Sequence, residues 1–275
     1  MTKILFWNVN KKQLSQVASQ ICQEYDIDIL VLAESLNSDV SIQKHLADKT
    51  QTTYIAPFNE LSNRNIKFFF RYPTESIQPA TDNYGISIRE IKSPLAESIL
   101  VAAVHLSSKL YADDNEQTAQ TRQIVQSIEE AEENAGHSRT VVIGDFNMNP
   151  FEKGLVDADA FHGVMSQLTA RKGTRNVRST QRKFFYNPMW GRMGDLSEGP
   201  PGTYYYQASK NFELFWNTFD QVLLRPGLLN AFRKENLKVI TEIGTNRFLT
   251  SDRLNKDEFS DHLPIMIELE IELVA

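Results

Sequence analysis

Residues 141–150 read Val-Val-Ile-Gly-Asp-Phe-Asn-Met-Asn-Pro, and this stretch narrows the folds open to the chain. Its apolar run is too short for a helix and reads as a buried strand. Side chains alternate along a strand. Asp145 and Asn147 therefore point the same way at its end, and Phe146 turns back towards the core. A carboxylate beside an amide in a buried setting is costly unless something polar binds there. The same residues also suit a capping turn before a helix, which the sequence predicts from Phe151 to Met165.

The pattern recurs along the chain. Lys3 to Asn10 is the first strand, with Ile4, Phe6 and Asn8 on one face. Ile29 to Ser35 is a continuous apolar strand that ends on Glu34. Ile99 to Leu106 is a buried strand with His105 near its end, and Trp216 to Leu224 admits Asp220. Phe259-Ser260-Asp261-His262-Leu263-Pro264 leads into an alternating strand, Ile265 to Ile271. Further strands are predicted at 52–56, 67–72, 84–92, 202–207 and 237–243, and a polar loop at 58–65. Helical spacing predicts helices at 12–25, 39–48 and 115–134. The last buries Ala119, Ile124, Val125, Ile128 and Ala131, turns Glu129, Glu130, Glu132 and Glu133 to solvent, and stops at Gly136.

Length and composition set bounds on this reading. No linker rich in Gly, Ser or Pro divides the 275 residues, so one domain over 1–275 is expected. A net charge of −6 excludes a uniformly basic nucleic-acid coat. The one cysteine, Cys22, excludes an internal disulfide or a cysteine-rich zinc site and is expected to be a small buried hydrophobe. With no signal-peptide pattern and no run of the ~20 apolar residues that a membrane span needs, a soluble, cytoplasmic protein is expected.

One block departs from the acidic background. Arg171, Lys172, Arg175, Arg178, Arg182, Lys183 and Arg192 occur without an acid among them, interleaved with Phe184, Phe185, Tyr186 and Trp190. Within a basic-aromatic loop region at 171–210, this suits a phosphate-backbone track with stacking platforms. Arg175, Arg178, Arg182 and Trp190 become candidate substrate contacts, and nucleic acid a candidate partner. The alternative is a solvated loop.

Polar residues thus gather at strand ends: Asn8, Glu34, His105, Asp145, Asn147, Asp220, Asp261 and His262. Carboxylates and amides without thiols suit a hard cation such as Mg2+ or Mn2+. Two histidines with acids suit proton transfer or stabilisation of phosphate charge. The combination points to metal-assisted phosphoester hydrolysis.

Trp7-Asn8, Glu34, Val104-His105-Leu106, Gly144-Asp145-Phe146-Asn147, Phe219-Asp220 and Ser260-Asp261-His262-Leu263-Pro264 together resemble the endonuclease/exonuclease/phosphatase superfamily, the metal-dependent phosphoesterases related to pancreatic deoxyribonuclease. The motifs follow the family's order over nearly the whole chain. The resemblance implies an α/β (α+β) four-layer sandwich, with two mainly antiparallel sheets face to face and helices outside. It implies Glu34 as principal Mg2+ ligand, with Asn8 nearby and Asp261 assisting. It implies Asp145 as the group that orients or deprotonates the attacking water, and Asn147 as a phosphate positioner. Asp220 would fix the tautomer of His262, which contacts the phosphate or acts as base. His105 would donate to a non-bridging oxygen, and Arg89 would contact phosphate. His105 stands where the family's bacterial abasic-site exonucleases carry a tyrosine, which puts the chain nearer the histidine-bearing branches. The implied activity is a Mg2+-dependent nuclease acting on DNA or RNA. The alternatives are a phosphatase or phosphodiesterase on a smaller or lipid substrate (phosphoinositide, sphingolipid or nucleotide) and an inactive binding module.

Overall fold

Alternation along short apolar strands sorts the chain into two sheets, seen in a computed structural model that describes residues 1–57, 65–93, 97–209, 211, 213–251 and 253–273. The polar loop predicted at 58–65 lies outside them apart from Asn65.

The strands of the first half are β1 (Thr2–Asn8), β2 (Ile29–Ala33), β3 (Ile66–Phe70), β4 (Ile77–Asn83), β5 (Ile86–Ile91), β6 (Ile99–His105) and β7 (Thr140–Asp145). Next come β8 (Gly163–Val164), β9 (Thr174–Val177), β10 (Thr180–Lys183), β11 (Phe185–Tyr186), β12 (Tyr204–Tyr205) and β13 (Trp216–Asn217). The chain closes with β14 (Asp220–Leu224), β15 (Phe232–Val239), β16 (Glu242–Ile243), β17 (Asn246–Arg247) and β18 (Ile265–Leu269). The helices are α1 (Ser15–Tyr25), α2 (Asp39–Thr50), α3 (Asp114–Ala135), α4 (Lys153–Val156) and α5 (Gln167–Ala170).

One sheet has the order β15-β18-β1-β2-β3 and the other β4-β5-β6-β7-β14-β11-β8. Neighbours run antiparallel except β1 with β2, β6 with β7 and β8 with β11. Period two then explains the layers. Ile4 and Phe6 of β1 meet Val101 and Ala103 of β6, Val141 and Ile143 of β7 and Val222 of β14 in the core between the sheets. The alternate residues face outward. Leu5 and Trp7 pack with Ala18, Ile21 and Leu46 of α1 and α2, while Val142 and Val104 pack with Ile124 and Ile128 of α3. This is the four-layer sandwich.

Local sequence sets several boundaries. Asp113 and Glu116 form a reciprocal capping box at the start of α3, and Gly136 ends it with φ +72°. Several expectations need correction, among them the strand predicted at 52–56, of which only Ile55 pairs, in a single bridge to Phe70. The helix predicted from Phe151 to Met165 shrinks to Lys153–Val156 followed by turns, and β4, an edge strand carrying Pro79, was not anticipated. The buried stripe of α3 uses Gln117, Thr118 and Thr121 where Ala119 was expected. Finally, Glu132 is not solvated: it is buried, accepting from Arg225 Nε at 2.7 Å and Thr140 Oγ1 at 2.8 Å.

Candidate active site

The period-two argument also assembles the site. Asn8, His105, Asp145 and Asp220 each close the row of side chains that faces the other sheet: Asn8 follows Ile4 and Phe6, His105 follows Val101 and Ala103, and Asp145 follows Val141 and Ile143. Asp220 precedes Val222 on the antiparallel β14 and pairs with Asp145 in register, as His105 does from β6. The inter-sheet core therefore ends in a polar cap. Glu34 joins it by leaving β2 in the left-handed region at φ +53°, as Asn147 does after β7 at +50°. Side chains other than glycine are uncommon there, and such strain concentrates at functional sites.

Asp145 sits at the centre, 1% exposed. Its Oδ2 accepts from Asn8 Nδ2 at 3.0 Å and Asn147 Nδ2 at 3.2 Å, and its Oδ1 from the Asn147 backbone N–H at 2.9 Å. Asn8 Nδ2 also reaches Glu34 Oε1 at 3.3 Å. His105 Nε2 lies 3.2 Å from Glu34 Oε1 and 3.9 Å from Asp145 Oδ2. On the opposite side, His262 Nδ1 contacts Asp220 Oδ2 at 2.9 Å while its Nε2 lies 3.8 Å from Asp145 Oδ2. The Ser260–His262 turn is clamped to β1: Trp7 Nε1 donates to His262 O at 2.9 Å and Ser260 Oγ to Asn8 O at 2.6 Å.

Charge follows this geometry. The hydrogen bond from His105 holds the Glu34 carboxyl down at about 2, against burial. Burial works against charge on His262, but Asp220, Asp145 and Asp261 outweigh it and raise the imidazolium to about 10. His105 is raised likewise, with the Glu34 bond and nearby Asp145 overcoming burial. Asp220 is lifted by complete burial and drawn back by His262, so the two hold a proton between them.

Glu34, His105, Asp145, Asn147, Asp261 and His262 line one pocket of about 760 Å3. Asn8 and Asp220 support it from behind. Asp261 is engaged by Asn10, whose Nδ2 donates to its Oδ1 at 2.8 Å. Two groupings offer themselves for a cation. Asp145, Asp220 and His262 present ligand atoms within 4.8 Å of one another. Asp220, however, is fully buried with both oxygens on His262. Glu34 and Asp145 instead bring two carboxylate oxygens to a single amide nitrogen and face the pocket. That all-oxygen donor set without a thiolate fits a hard divalent ion.

The other candidates are not brought here. Arg89 is fully buried on β5, its guanidinium held by Asp82 at 2.9 Å through both Nη atoms and lying over the Phe68 ring. Arg175, Arg178, Arg182 and Lys183 of the basic block fall on the hairpin β9–β10, and its base is tied to Glu132 by Lys183 Nζ at 3.1 Å. Glu132 also holds Thr140, the opposite end of β7 from Asp145, about 16 Å away at the usual rise per residue. Arg175 Nε donates to His162 Nε2 at 2.8 Å, and Arg182 pairs with Asp159 at 2.6 Å. Arg178 occupies the hairpin's turn at φ +48°. Trp190 packs edge-on to Phe151 and does not line the pocket. A run of positive charge shows that an element is basic; the direction in which it projects depends on strand order, which the run does not contain.

Tyr204 lies in the strand expected at 202–207 and carries no role in the sequence motifs. Its ring lies 4.7 Å from the His262 ring and 5.1 Å from Phe219, so it covers the Asp220–His262 pair. No local signal points to it, because the contact arises when the 203–205 segment docks on the Ser260–Leu263 turn.

The sequence model described as the Endonuclease/Exonuclease/phosphatase family matches residues 5–262. No curated protein sequence gives a match. Among solved structures, an endonuclease/exonuclease/phosphatase family protein from Leptotrichia buccalis C-1013-b is similar at 14% identity, covering 99% of this chain and 100% of that one with a TM-score of 0.58. An AP endonuclease from Archaeoglobus fulgidus is similar at 13% identity over 98% and 100% of the two chains, TM-score 0.57. The human Nocturnin catalytic domain, solved with a bound sulfate anion, is similar at 16% identity over 98% and 94%, TM-score 0.54.

Proposed function

The chain belongs to the endonuclease/exonuclease/phosphatase family, and from that premise we propose that it is a phosphodiesterase acting on nucleic acid by metal-assisted attack of water. One observation carries the reading: the hydrogen-bonded His262–Asp220 pair, an Asp145 carboxylate fixed by amide donors, and the Glu34–His105 pair meet at one pocket.

The residues divide the work. Glu34, with the Asn8 amide beside it, would hold Mg2+, with Mn2+ as a substitute; such an ion polarises a phosphoryl oxygen. Asp145 aligns a water and accepts its proton, while Asn8 and Asn147 prevent the carboxylate from rotating. His262 donates from Nε2 to a non-bridging phosphate oxygen, since Nδ1–H is committed to Asp220. A histidine held in its charged form is a donor at neutral pH, which favours this role over that of base. On the other side His105, whose Nε2 donates to Glu34, orients that carboxylate. All of this lies within one catalytic domain over 1–275.

The test is cleavage of plasmid, single-stranded DNA and RNA with and without Mg2+ or Mn2+, with His262→Ala as control. Metal-dependent cleavage that disappears in the variant is expected. A second reading, a phosphatase or phosphodiesterase on a smaller or lipid substrate, is favoured by the distance of the basic hairpin from the pocket. Turnover of a nucleotide or inositol phosphate, with none of any polynucleotide, would select it.

A further inference from the structure

The two most exposed aromatic side chains among the described residues, Tyr111 at 85% and Tyr84 at 73%, both stand on the rim of the pocket that holds Asp145 and His262. Leu110 and Leu36 share the rim and are equally bare. Large apolar side chains left in water together at one mouth mark a contact surface. The tyrosines come from short, tied-down turns. Tyr84 precedes Gly85, whose carbonyl accepts the His105 backbone N–H at 3.0 Å, and Tyr111 N–H donates to Ser108 O at 2.9 Å. The Tyr84 ring is thus carried by the same backbone that positions a pocket histidine.

Charge at the mouth narrows the ligand. The lysines there are Lys11, 4.0 Å from Glu34, and Lys67, paired with Asp39 at 2.9 Å. They face Glu34, Asp145 and Asp261. Among the described residues of the mouth no row of cations is laid out to follow a duplex backbone or an anionic bilayer, and the surface it offers beyond the phosphate-binding groups is the exposed ring faces. A duplex hides the faces of its bases; an unpaired strand presents them.

We propose that Tyr84 and Tyr111 are stacking platforms for unpaired nucleobases flanking the scissile phosphate, which makes single-stranded nucleic acid the substrate class. This rests on the nucleic-acid reading of the site, and its test does not need turnover. Fluorescence anisotropy in chelator compares a labelled single-stranded oligonucleotide with a hairpin duplex. The single strand should bind the wild-type chain at least about tenfold more tightly, and Tyr84→Ala and Tyr111→Ala should each weaken it about tenfold. Tyr84→Phe and Tyr111→Phe should restore it, since stacking needs the ring and not the hydroxyl. Leu168→Ala, an exposed apolar residue of α5 outside the pocket, is the control. Equal loss on duplex and single strand, or no loss with either alanine, overturns the proposal. So does binding to phosphatidylcholine vesicles that falls in the alanine variants while oligonucleotide binding does not, because that result assigns the rim to lipid. If the chain cleaves no polynucleotide, the catalytic reading fails, and the anisotropy result still decides the rim.

Discussion

His262 shows how little of a catalytic residue's behaviour belongs to the residue itself. Three carboxylates around it keep the ring charged, and Asp220 is the one that touches it. A group whose pKa is raised is protonated below the raised value and loses its proton above it. Activity that needs the imidazolium should therefore persist into alkaline pH and fall as the proton leaves. Asp220→Asn removes the adjacent charge, so the falling limb of the pH–rate profile should move to lower pH, with kcat down about 10²–10⁴-fold. A limb that stays in place would assign the limb to another group. Glu34→Gln should cut turnover as severely and raise the Mg2+ concentration needed for half-activity; an unchanged metal titration would take Glu34 out of the ion's coordination. Glu34 and Asp220 were legible in the sequence because each closes or interrupts an apolar run, and His262 through the Ser260-Asp261-His262-Leu263-Pro264 motif. Arg89 is the converse case. Its strand shows an arginine at an alternating position, but its neutralising partner, Asp82, lies on another strand.

Elements obey a different logic, in which the environment of a strand matters more than its composition. The block at 171–192 is basic in the sequence, yet its hairpin grips His162, Asp159 and Glu132 at the end of the sheet away from Asp145. Replacing Arg175, Arg178 and Arg182 together by Gln should leave KM for nucleic acid and its salt dependence unchanged. A flatter salt slope would return the hairpin to the substrate path. Gly144 makes the opposite case, in which one residue fixes how two elements approach. A Cβ there would stand 2.0 Å from the Val104 carbonyl oxygen, so β6 and β7 can be neighbours at this level only over a glycine. Gly144→Ala should cost about 3 kcal/mol or more in denaturant unfolding, a size reserved for core strain. It should also damage turnover, since His105 and Asp145 follow directly. The glycine is visible in the sequence; the carbonyl opposite it comes from a strand some forty positions away and is not. The helix expected at 151–165 stops at Val156 for a local reason: Asp157 leaves helical geometry and its Oδ1 accepts from the Asp159 backbone N–H at 3.0 Å, an Asx turn.

At the scale of the whole molecule, the site belongs to neither sheet. Asn8 and Glu34 come from the five-stranded sheet, His105, Asp145 and Asp220 from the seven-stranded one, and His262 from the turn entering β18. The Asn8 Nδ2–Asp145 Oδ2 bond at 3.0 Å spans the gap between them. Catalytic geometry should then depend on the spacing of the sheets, which the core between them sets. Ile143 and Ile128 allow a matched comparison. Both are fully buried isoleucines, Ile143 between the sheets and Ile128 between α3 and the outer face of one sheet. Ile→Ala at either position should cost about 3 kcal/mol through lost burial and a residual cavity. The consequences for chemistry should differ. Partial collapse into the Ile143 cavity shifts one sheet against the other beneath Asn8 and Asp145, and a displacement near 1 Å at reacting groups is worth about 10²-fold in rate. Collapse around Ile128 moves a helix that supplies no pocket-facing acid or histidine. Measured well below both melting temperatures, kcat should fall at least about tenfold in Ile143→Ala and stay within about twofold of wild type in Ile128→Ala. Equal effects in the two variants would mean that the strand ends hold the site by their own hydrogen bonds, and that the inter-sheet core supplies stability alone.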